Sequence, residues 1–250
     1  MQKRTGGEIY IGVVGPVRTG KSTFIKRFMD VAVLPYMEDA AQKTRAQDEL
    51  PQSAGGRTIT TTEPKFIPQE AVELKLAGEV TIRVRLVDCV GFMVEGAAGH
   101  LEDGAERLVK TPWYDHEIPF TQAAELGTRK VITDHSTIGV VVTTDGSFSD
   151  LPQETYLDAE NQAISELKKL HKPFLVLVNS SHPSSRTARE AAERIEKQHS
   201  VAAMPVNCAQ LSEEDIRQIM EQILYEFPVS RVEFYMPKWV EMLPFSHPLK

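Results

Sequence analysis

One stretch near the beginning of the chain has the residue types and spacing needed to hold a chain of phosphates. Residues 15–22, GPVRTGKS, fit the pattern G-x-x-x-x-G-K-[ST]. Gly15 and Gly20 let the backbone pass close to phosphate oxygens, and the amides of the loop and of the next helix can donate to them. Lys21 supplies a cation for the β- and γ-phosphates, and Ser22 a hydroxyl for Mg²⁺. The pattern predicts a site for a nucleoside triphosphate with Mg²⁺.

The segments on either side of this loop have the periodicity that the motif requires. Residues 9–14, IYIGVV, read as a buried strand, and the apolar residues of 23–29 recur at helical spacing. A strand, a loop and a helix therefore follow one another in the required order. We expect Arg18, inside the loop, and Thr23, in the first turn of the helix, to lie within reach of the phosphates.

A second phosphate-side element is predicted at the end of another strand. Residues 79–87 alternate apolar and polar side chains and run into Asp88-Cys89-Val90-Gly91, a D-x-x-G sequence. The Asp88 carboxylate is then placed to hold Mg²⁺ through a water, and the Gly91 amide to follow the γ-phosphate. Four-residue patterns are common, so the specificity of this one comes from its position at a strand end after a phosphate-binding loop.

The group that would orient the attacking water is not the one that many GTPases use. Those proteins carry a glutamine directly after D-x-x-G, whereas this chain has Phe92, which cannot orient water. The polar segment 35–63, predicted as a long loop, contains threonines at 60–62. In switch-type nucleotidases this position supplies the threonine that senses the γ-phosphate and Mg²⁺. The threonine run is therefore the nearest candidate for this role.

The loop after the fifth predicted strand argues against guanine as the base. Switch GTPases carry N-K-x-D there, and the aspartate accepts the guanine N1 and N2 protons. This chain has Asn179-Ser180-Ser181-His182, which keeps the asparagine and lacks the lysine and the aspartate. A site that recognises guanine by hydrogen bonds loses that selectivity without its acceptor. We therefore expect ATP, with a displaced guanine-specificity loop as the alternative.

Composition excludes several other classes of protein. The chain has 250 residues, a formal net charge of −7 and 41% hydrophobic residues, which suits an α/β domain and gives no basis for non-specific nucleic-acid binding. No apolar run reaches transmembrane length, and residues 1–7 lack the apolar core of a signal peptide. Two cysteines are too few for a disulfide framework, and they fit a reducing cytoplasm.

The rest of the chain alternates strand and helix patterns, as in an α/β domain with a mostly parallel sheet. Residues 65–76 and 79–87 are predicted as an antiparallel hairpin, and residues 92–116 as a second long loop. The later predicted elements are strands at 137–143, 173–179 and 201–206, and helices at 119–134, 152–170, 186–198 and 213–226. We divide the chain into a nucleotide-binding domain at 1–228 and, at 229–250, an edge strand with the start of a connection to a following domain.

The chain as a whole resembles the ATPase domain of the stage IV sporulation protein A family, the spore-coat morphogenetic proteins of endospore-forming bacteria. Several of the similar blocks have no counterpart in ordinary GTPases, and together they span nearly the whole chain. The blocks lie at residues 4–7, 15–22, 45–53, 61–66, 85–91, 111–114, 127–130, 135–146 and 225–229.

The resemblance implies an α/β P-loop NTPase of the translation-factor GTPase-like type that hydrolyses ATP. It implies a mostly parallel central sheet with one antiparallel hairpin strand and helices on both faces. Lys21 matches the family's P-loop lysine, Asp88 its Walker B aspartate, and Thr61 and Thr62 its paired sensor threonines. Together with the motifs, this gives Lys21, Thr61, Thr62 and Asp88 as catalytic residues and Ser22, Thr62 and Asp88 as metal ligands. The expected nucleotide-binding residues are Gly15, Arg18, Thr19, Gly20, Lys21, Ser22, Thr23, Gly91 and Asn179.

The resemblance also implies a cellular role. It implies nucleotide-dependent self-assembly into a static polymer beneath the spore coat, in the mother cell at the forespore surface. A small membrane-anchoring protein and spore-coat proteins are implied as partners, mainly through domains beyond this chain. Two alternatives stay open: a GTPase switch of the ribosome-assembly type, and a scaffold that binds nucleotide with negligible turnover. A P-loop small-molecule kinase is disfavoured, because no arginine-rich lid segment follows the core.

Overall fold

A six-stranded sheet runs through the middle of the domain. The computed structural model describes residues 8–51, 63–75, 81–97, 101–102, 105–149 and 151–227. The strands are β1 Glu8–Val14, β2 Lys65–Lys75, β3 Thr81–Asp88, β4 Leu101–Glu102, β5 Ala105–Glu106, β6 Leu108–Thr111, β7 Tyr114–Pro119, β8 Ile138–Thr144, β9 Phe174–Asn179 and β10 Ala203–Val206. The α-helices are α1 Lys21–Phe28, α2 Ala40–Asp48, α3 Phe120–Lys130, α4 Leu157–Lys169, α5 Arg186–His199 and α6 Glu213–Tyr225.

The order of strands in the main sheet is β10-β9-β8-β1-β3-β2. Every neighbouring pair is parallel except β2 and β3, which pair antiparallel. This confirms the predicted mostly parallel sheet with one antiparallel hairpin strand. Since β1 and β3 are parallel neighbours, their carboxyl ends meet at one edge of the sheet, where open α/β sheets bind ligands.

Apolar packing on both faces of the sheet explains why the central strands β8 and β9 are mostly hydrophobic. Every residue of β8 and β9 is buried, as expected of parallel strands covered on both sides. One face packs against α1 and α6 through Phe24, Phe28 and Ile219, and the other against α4 and α5 through Ile164 and Ile195. The predicted helices on both faces are confirmed.

Two helices, α1 and α3, continue past their α-helical part into a π-helical turn. After Phe28, α1 runs into a π-helical turn, Met29–Val33, and a 3₁₀ turn, Leu34–Tyr36, so residues 21–36 are helical throughout but change period. Likewise, α3 runs into a π-helical turn at Val131–His135. The last helix, α6, begins at a capping box formed by Ser212 and Asp215.

The polar segment predicted as a loop over 35–63 contains a helix. Here α2 begins after Asp39, whose carboxylate accepts hydrogen bonds from the amides of Ala41 and Gln42. Its only buried residue is Ala46. The prediction missed this helix because an α-helix with one buried position has no apolar stripe for a periodicity argument to detect.

The second segment predicted as a loop, 92–116, contains short strands. Antiparallel pairing joins β4 to β5 and β6 to β7, and the latter hairpin turns between Thr111 and Tyr114. Most residues of β6 and β7 are exposed or half-buried, so the alternation that marks a strand with one buried face is absent.

Within the part of the chain that the structure describes, no helix is both long and apolar enough to cross a membrane. Both cysteines are free and buried, as expected without a disulfide framework.

Candidate functional site

The phosphate-binding loop follows β1 and ends where α1 begins. Gly15 and Gly20 have φ angles of 128° and 98°, in the region that side-chain-bearing residues rarely adopt. A Cβ atom at Gly15 would lie 2.4 Å from the carbonyl oxygen of Val142, and one at Gly20 would lie 2.3 Å from Nδ2 of Asn179. The loop is therefore pressed against the ends of β8 and β9, and only glycine fits at both positions.

Two buried polar side chains hold the loop from behind. The hydroxyl of Thr19 lies 2.6 Å from the carbonyl oxygen of Val142. The amide of Asn179 donates from Nδ2 to the carbonyl oxygen of Thr19 at 2.9 Å, and its Oδ1 accepts from the backbone N–H of Cys208 at 3.0 Å. Thr19 and Asn179, predicted to bind the nucleotide, thus use these side-chain groups to join the phosphate loop to β8, β9 and the segment after β10.

Lys21 lies folded over the loop and is only 5% exposed. Its Nζ donates to the carbonyl oxygen of Pro16 at 2.5 Å and lies 3.5 Å from that of Gly15. Burial lowers the pKa of the Lys21 ammonium, while the nearby Cys89 and Asp88 oppose this shift. Among the described residues, the hydrogen bonds of the Lys21 ammonium go to neutral carbonyl oxygens, so this buried cation is well placed to gain an anionic ligand.

Asp88 ends β3 beside the first turn of α1. Its Oδ2 accepts a hydrogen bond from the Ser22 hydroxyl at 3.4 Å, and Oδ1 is buried without a hydrogen-bond partner among the described residues. Burial raises the pKa of the Asp88 carboxyl to about 6, against the opposing charge of Lys21. Both Ser22 and the following Thr23 are half-buried.

The oxygen donors at this position fit Mg²⁺. The ion prefers oxygen ligands and, at phosphate sites, takes one or two from the protein and the rest from phosphates and water. An orphaned carboxylate oxygen of Asp88 next to the Ser22 hydroxyl matches that demand. No group of three or more His, Cys, Asp and Glu side chains is placed to bind a metal within the described ranges.

The segment after β3 pairs directly with the phosphate loop. The backbone N–H of Phe92 donates to the carbonyl oxygen of Gly15 at 3.0 Å, and the N–H of Val17 donates to the carbonyl oxygen of Phe92 at 2.9 Å. The Phe92 side chain is 1% exposed and packs with Val94 and Tyr156 in the core on the sheet face that α4 and α5 cover. The sequence indicated only that Phe92 cannot orient water, whereas the structure gives it an anchoring contact.

Gly91 lies within the same pairing and touches the lysine. It has a φ of 104°, and a Cβ there would lie 2.3 Å from the Gly15 carbonyl oxygen and 2.5 Å from Nζ of Lys21. Its backbone N–H donates to Oγ1 of Thr128 at 3.0 Å. Sequence reasoning missed Thr128, because nothing in the pattern of α3 links a threonine there to a loop 37 residues away.

The loops after β8 and β9 are joined by hydroxyl groups where the base of a nucleotide is expected. The hydroxyl oxygen of Ser147 accepts from the backbone N–H of Ser181 at 2.8 Å and lies 3.4 Å from the hydroxyl oxygen of Ser180. That Ser180 oxygen also accepts from the N–H of His182 at 3.0 Å. His182, which takes the place of the guanine-reading aspartate, is exposed. The carboxylate of Asp145 accepts a hydrogen bond from the backbone N–H of Ser147.

The remaining predicted site residues are an arginine of the phosphate loop and two threonines. Arg18 is exposed on the loop, with a φ of 62°. Thr61 and Thr62 lie outside the described residues. The structure thus brings Gly15, Gly20, Lys21, Ser22, Asp88 and Gly91 together at the ends of β1 and β3.

Comparison with known proteins identifies the family of this chain. The model of the stage IV sporulation protein A ATPase domain matches residues 1–228. Stage IV sporulation protein A of Clostridioides difficile (strain 630) is 49% identical over 250 residues, covering 100% of this chain and 51% of the relative. The protein of that name from Bacillus anthracis is 46% identical over 248 residues, covering 99% of this chain and 50% of the relative.

A solved structure with the same fold is that of SsGBP in complex with GDP. The two chains have 12% sequence identity and superpose with a TM-score of 0.50, over 90% of this chain and 52% of the other. At this identity the likeness concerns the fold alone. The chain spans about half the length of the curated relatives it matches. On the family model and these identities, the chain belongs to the stage IV sporulation protein A family, and residues 1–228 correspond to its ATPase domain.

Proposed function

We propose that this domain binds ATP together with Mg²⁺ and hydrolyses the bond to the γ-phosphate. The observation that carries the proposal is the convergence of a buried cation and a carboxylate with a buried oxygen at one sheet edge. Lys21 lies over the phosphate loop, and Asp88 presents beside Ser22 an oxygen that has no hydrogen-bond partner among the described residues. Membership of a family whose matching domain is an ATPase supports nucleotide hydrolysis.

Each residue of the cluster has a separate task in this proposal. The loop amides and the Lys21 ammonium bind the phosphates, and Lys21 then exchanges neutral carbonyl partners for an anion. Ser22, Asp88 and Thr62 would hold Mg²⁺. When bound, Mg²⁺ neutralises charge that develops on the phosphate oxygens. Thr19 and Asn179 keep the loop in place, so the phosphates meet donors that are already oriented.

Thr61 and Thr62 are proposed as the groups that sense the γ-phosphate and complete the catalytic site. Phe92 stands where many GTPases have a water-orienting glutamine, and its buried side chain offers no hydrogen bond. A hydroxyl that positions water or Mg²⁺ acts chiefly in the transition state. Changing Thr61 and Thr62 together to Ala should therefore leave ATP bound while phosphate release stops. Normal release by this variant would contradict the role.

ATP is the proposed nucleotide, because the loop after β9 presents hydroxyls and an imidazole in place of the guanine acceptor. Ser180 and Ser181 are tied to Ser147, and His182 is exposed. The test is phosphate release by the full-length protein with ATP or GTP at matched concentrations. Faster release from ATP, with unlabelled GTP displacing labelled ATP poorly, supports the proposal. A preference for GTP would favour a GTPase switch instead.

In the whole protein, we propose that hydrolysis drives self-assembly into the basement layer of the spore coat. This rests on the family name, which concerns sporulation. The link to hydrolysis requires a domain that differs between its nucleotide states. The assembly would lie at the forespore surface in the mother cell, with a membrane-anchoring protein and coat proteins bound mainly by segments beyond this chain. Sedimentation of full-length protein with ATP tests the link. A variant that sediments like wild type without hydrolysis would favour a static scaffold.

A further inference from the structure

The backbone amide of Gly91 has a specific partner on a different element. Its N–H donates to Oγ1 of Thr128, on α3, at 3.0 Å, and the Thr128 hydroxyl donates in turn to the carbonyl oxygen of Ala124 at 2.8 Å. Thr128 is fully buried. The hydroxyl therefore accepts one bond and donates another, and it ties the loop after β3 to the backbone of α3.

The position of Gly91 gives that hydrogen bond a functional meaning. A Cβ at Gly91 would lie 2.5 Å from Nζ of Lys21, so its backbone borders the place where the lysine meets the outer phosphates. A backbone amide has one hydrogen and makes one good hydrogen bond at a time. A γ-phosphate oxygen arriving beside Lys21 would compete with Thr128 for it.

We infer that Thr128 is a positioning residue that holds the Gly91 amide when no third phosphate is present, and that ATP takes this amide from it. The inference rests on the proposed function. ADP has no γ-phosphate and leaves the Gly91–Thr128 hydrogen bond in place. Thr128 therefore lowers the affinity for the triphosphate relative to the diphosphate and makes the site sensitive to the state of the nucleotide.

The competition for the Gly91 amide is linked to a surface hairpin through α3. The hairpin β6–β7 runs directly into α3, and the N–H of Phe120 donates to the carbonyl oxygen of Arg107 at 2.8 Å. Leu108 and Tyr114 of this hairpin are 56% and 41% exposed. Release of Thr128 would remove a hydrogen bond between α3 and the phosphate site, and this hairpin is continuous in sequence with that helix.

Substitution of Thr128 by Val tests the inference, because Val keeps the shape of the side chain and removes its acceptor. Full-length protein is titrated with Mg²⁺ and either ADP or a non-hydrolysable ATP analogue. We expect the ratio of analogue affinity to ADP affinity to rise by about 3- to 10-fold, since one neutral hydrogen bond no longer competes. Thr128→Ser, which keeps the hydroxyl, should restore the wild-type ratio.

A matched control exists at the other end of β1. The Thr137 hydroxyl accepts from the N–H of Tyr10 at 2.8 Å and lies 3.1 Å from its carbonyl oxygen, the same pattern away from the phosphates. Thr137→Val should leave the ratio unchanged. A purely structural role for Thr128 would weaken both nucleotides equally, and an unchanged ratio in Thr128→Val would overturn the inference.

A measurement on the wild-type protein covers the case in which Thr128→Val does not fold. Hydrogen exchange of peptides spanning 88–92 and 120–130 is compared with ADP and with the ATP analogue. The analogue alone should change exchange in the α3 peptide, and identical exchange with both nucleotides would overturn the inference. A wild-type protein that binds neither nucleotide would overturn the proposed function itself.

Discussion

The side-chain amide of Asn179 donates to the carbonyl oxygen of Thr19 at 2.9 Å, across 160 residues of sequence. The same side chain accepts from the N–H of Cys208, so one residue connects the phosphate loop, the end of β9 and the segment after β10. This places the loop proposed to face the base and the loop proposed to bind the phosphates on a common support.

Replacing Asn179 with Ala should destabilise the domain and weaken nucleotide binding together. The change leaves the buried Thr19 carbonyl and Cys208 N–H without partners, a loss of about 1–3 kcal/mol in the free energy of unfolding. Denaturant unfolding and ATP titration measure the two effects. Asn161→Ala, at a polar contact between α4 and His199 at the end of α5, should leave ATP affinity as it is. Unaltered stability in Asn179→Ala would contradict the bridging role.

Lys21→Met should weaken ATP binding without lowering the thermal stability of the nucleotide-free protein. Losing the charged hydrogen bond to phosphate should reduce ATP affinity roughly 10- to 100-fold. Without nucleotide, the variant should melt at a temperature no lower than wild type, because Met avoids the cost of burying an ammonium ion. Lys26→Met, on an exposed position of α1, is the control for both measurements. A large drop in the nucleotide-free melting temperature would show that Lys21 is needed for folding.

Asp88→Asn should impair turnover more than binding. The change keeps the shape and removes the charge of the carboxylate that is proposed to support Mg²⁺, while Lys21 and the loop amides still hold the phosphates. Phosphate release should fall about 10- to 100-fold at limiting Mg²⁺, with ATP affinity changed far less. Asp134→Asn removes an exposed carboxylate that pairs with Lys130 and should leave release unchanged. Wild-type release by Asp88→Asn would rule out the metal-supporting role.

Phe92→Gln should fail to act as a catalytic glutamine. Because Phe92 is buried against the phosphate loop, a polar side chain there should cost about 3 kcal/mol of unfolding free energy. We expect a lower melting temperature and no gain in phosphate release. Phe148→Gln replaces a side chain that is 42% exposed and should have little effect. Faster hydrolysis by a stable Phe92→Gln protein would argue against the anchoring role.

His182→Asp should move base preference toward guanine. It restores a carboxylate at the position where switch GTPases accept the guanine protons, and His182 is exposed, so the fold should tolerate the change. Competition of GTP against labelled ATP should improve by about 10-fold, the worth of a hydrogen bond to a charged acceptor. His182→Asn, which lacks the charge, should improve it less. Equal behaviour of wild type and His182→Asp would place the base elsewhere.

The local motifs in the sequence determined the phosphate loop and the strands on which it depends. Gly15 and Gly20 mark backbone positions with positive φ, and β8 and β9 are mostly hydrophobic because both of their faces are covered. Asp88 was predicted at the end of a strand, and parallel pairing of β1 with β3 then brings it to the phosphate loop. Such features depend on neighbours in the sequence and on strand periodicity.

Tertiary structure alone decided which partners these residues contact. The helix α2 has a single buried position, and hairpin β6–β7 is largely exposed, so neither carries the apolar period that marks an element in sequence. The hydrogen bonds from Asn179 to Thr19 and from Gly91 to Thr128 join residues far apart in the chain. Each depends on how the sheet and helices pack, because a side chain's residue type gives its hydrogen-bonding capacity but not the distant group that comes within 3 Å of it.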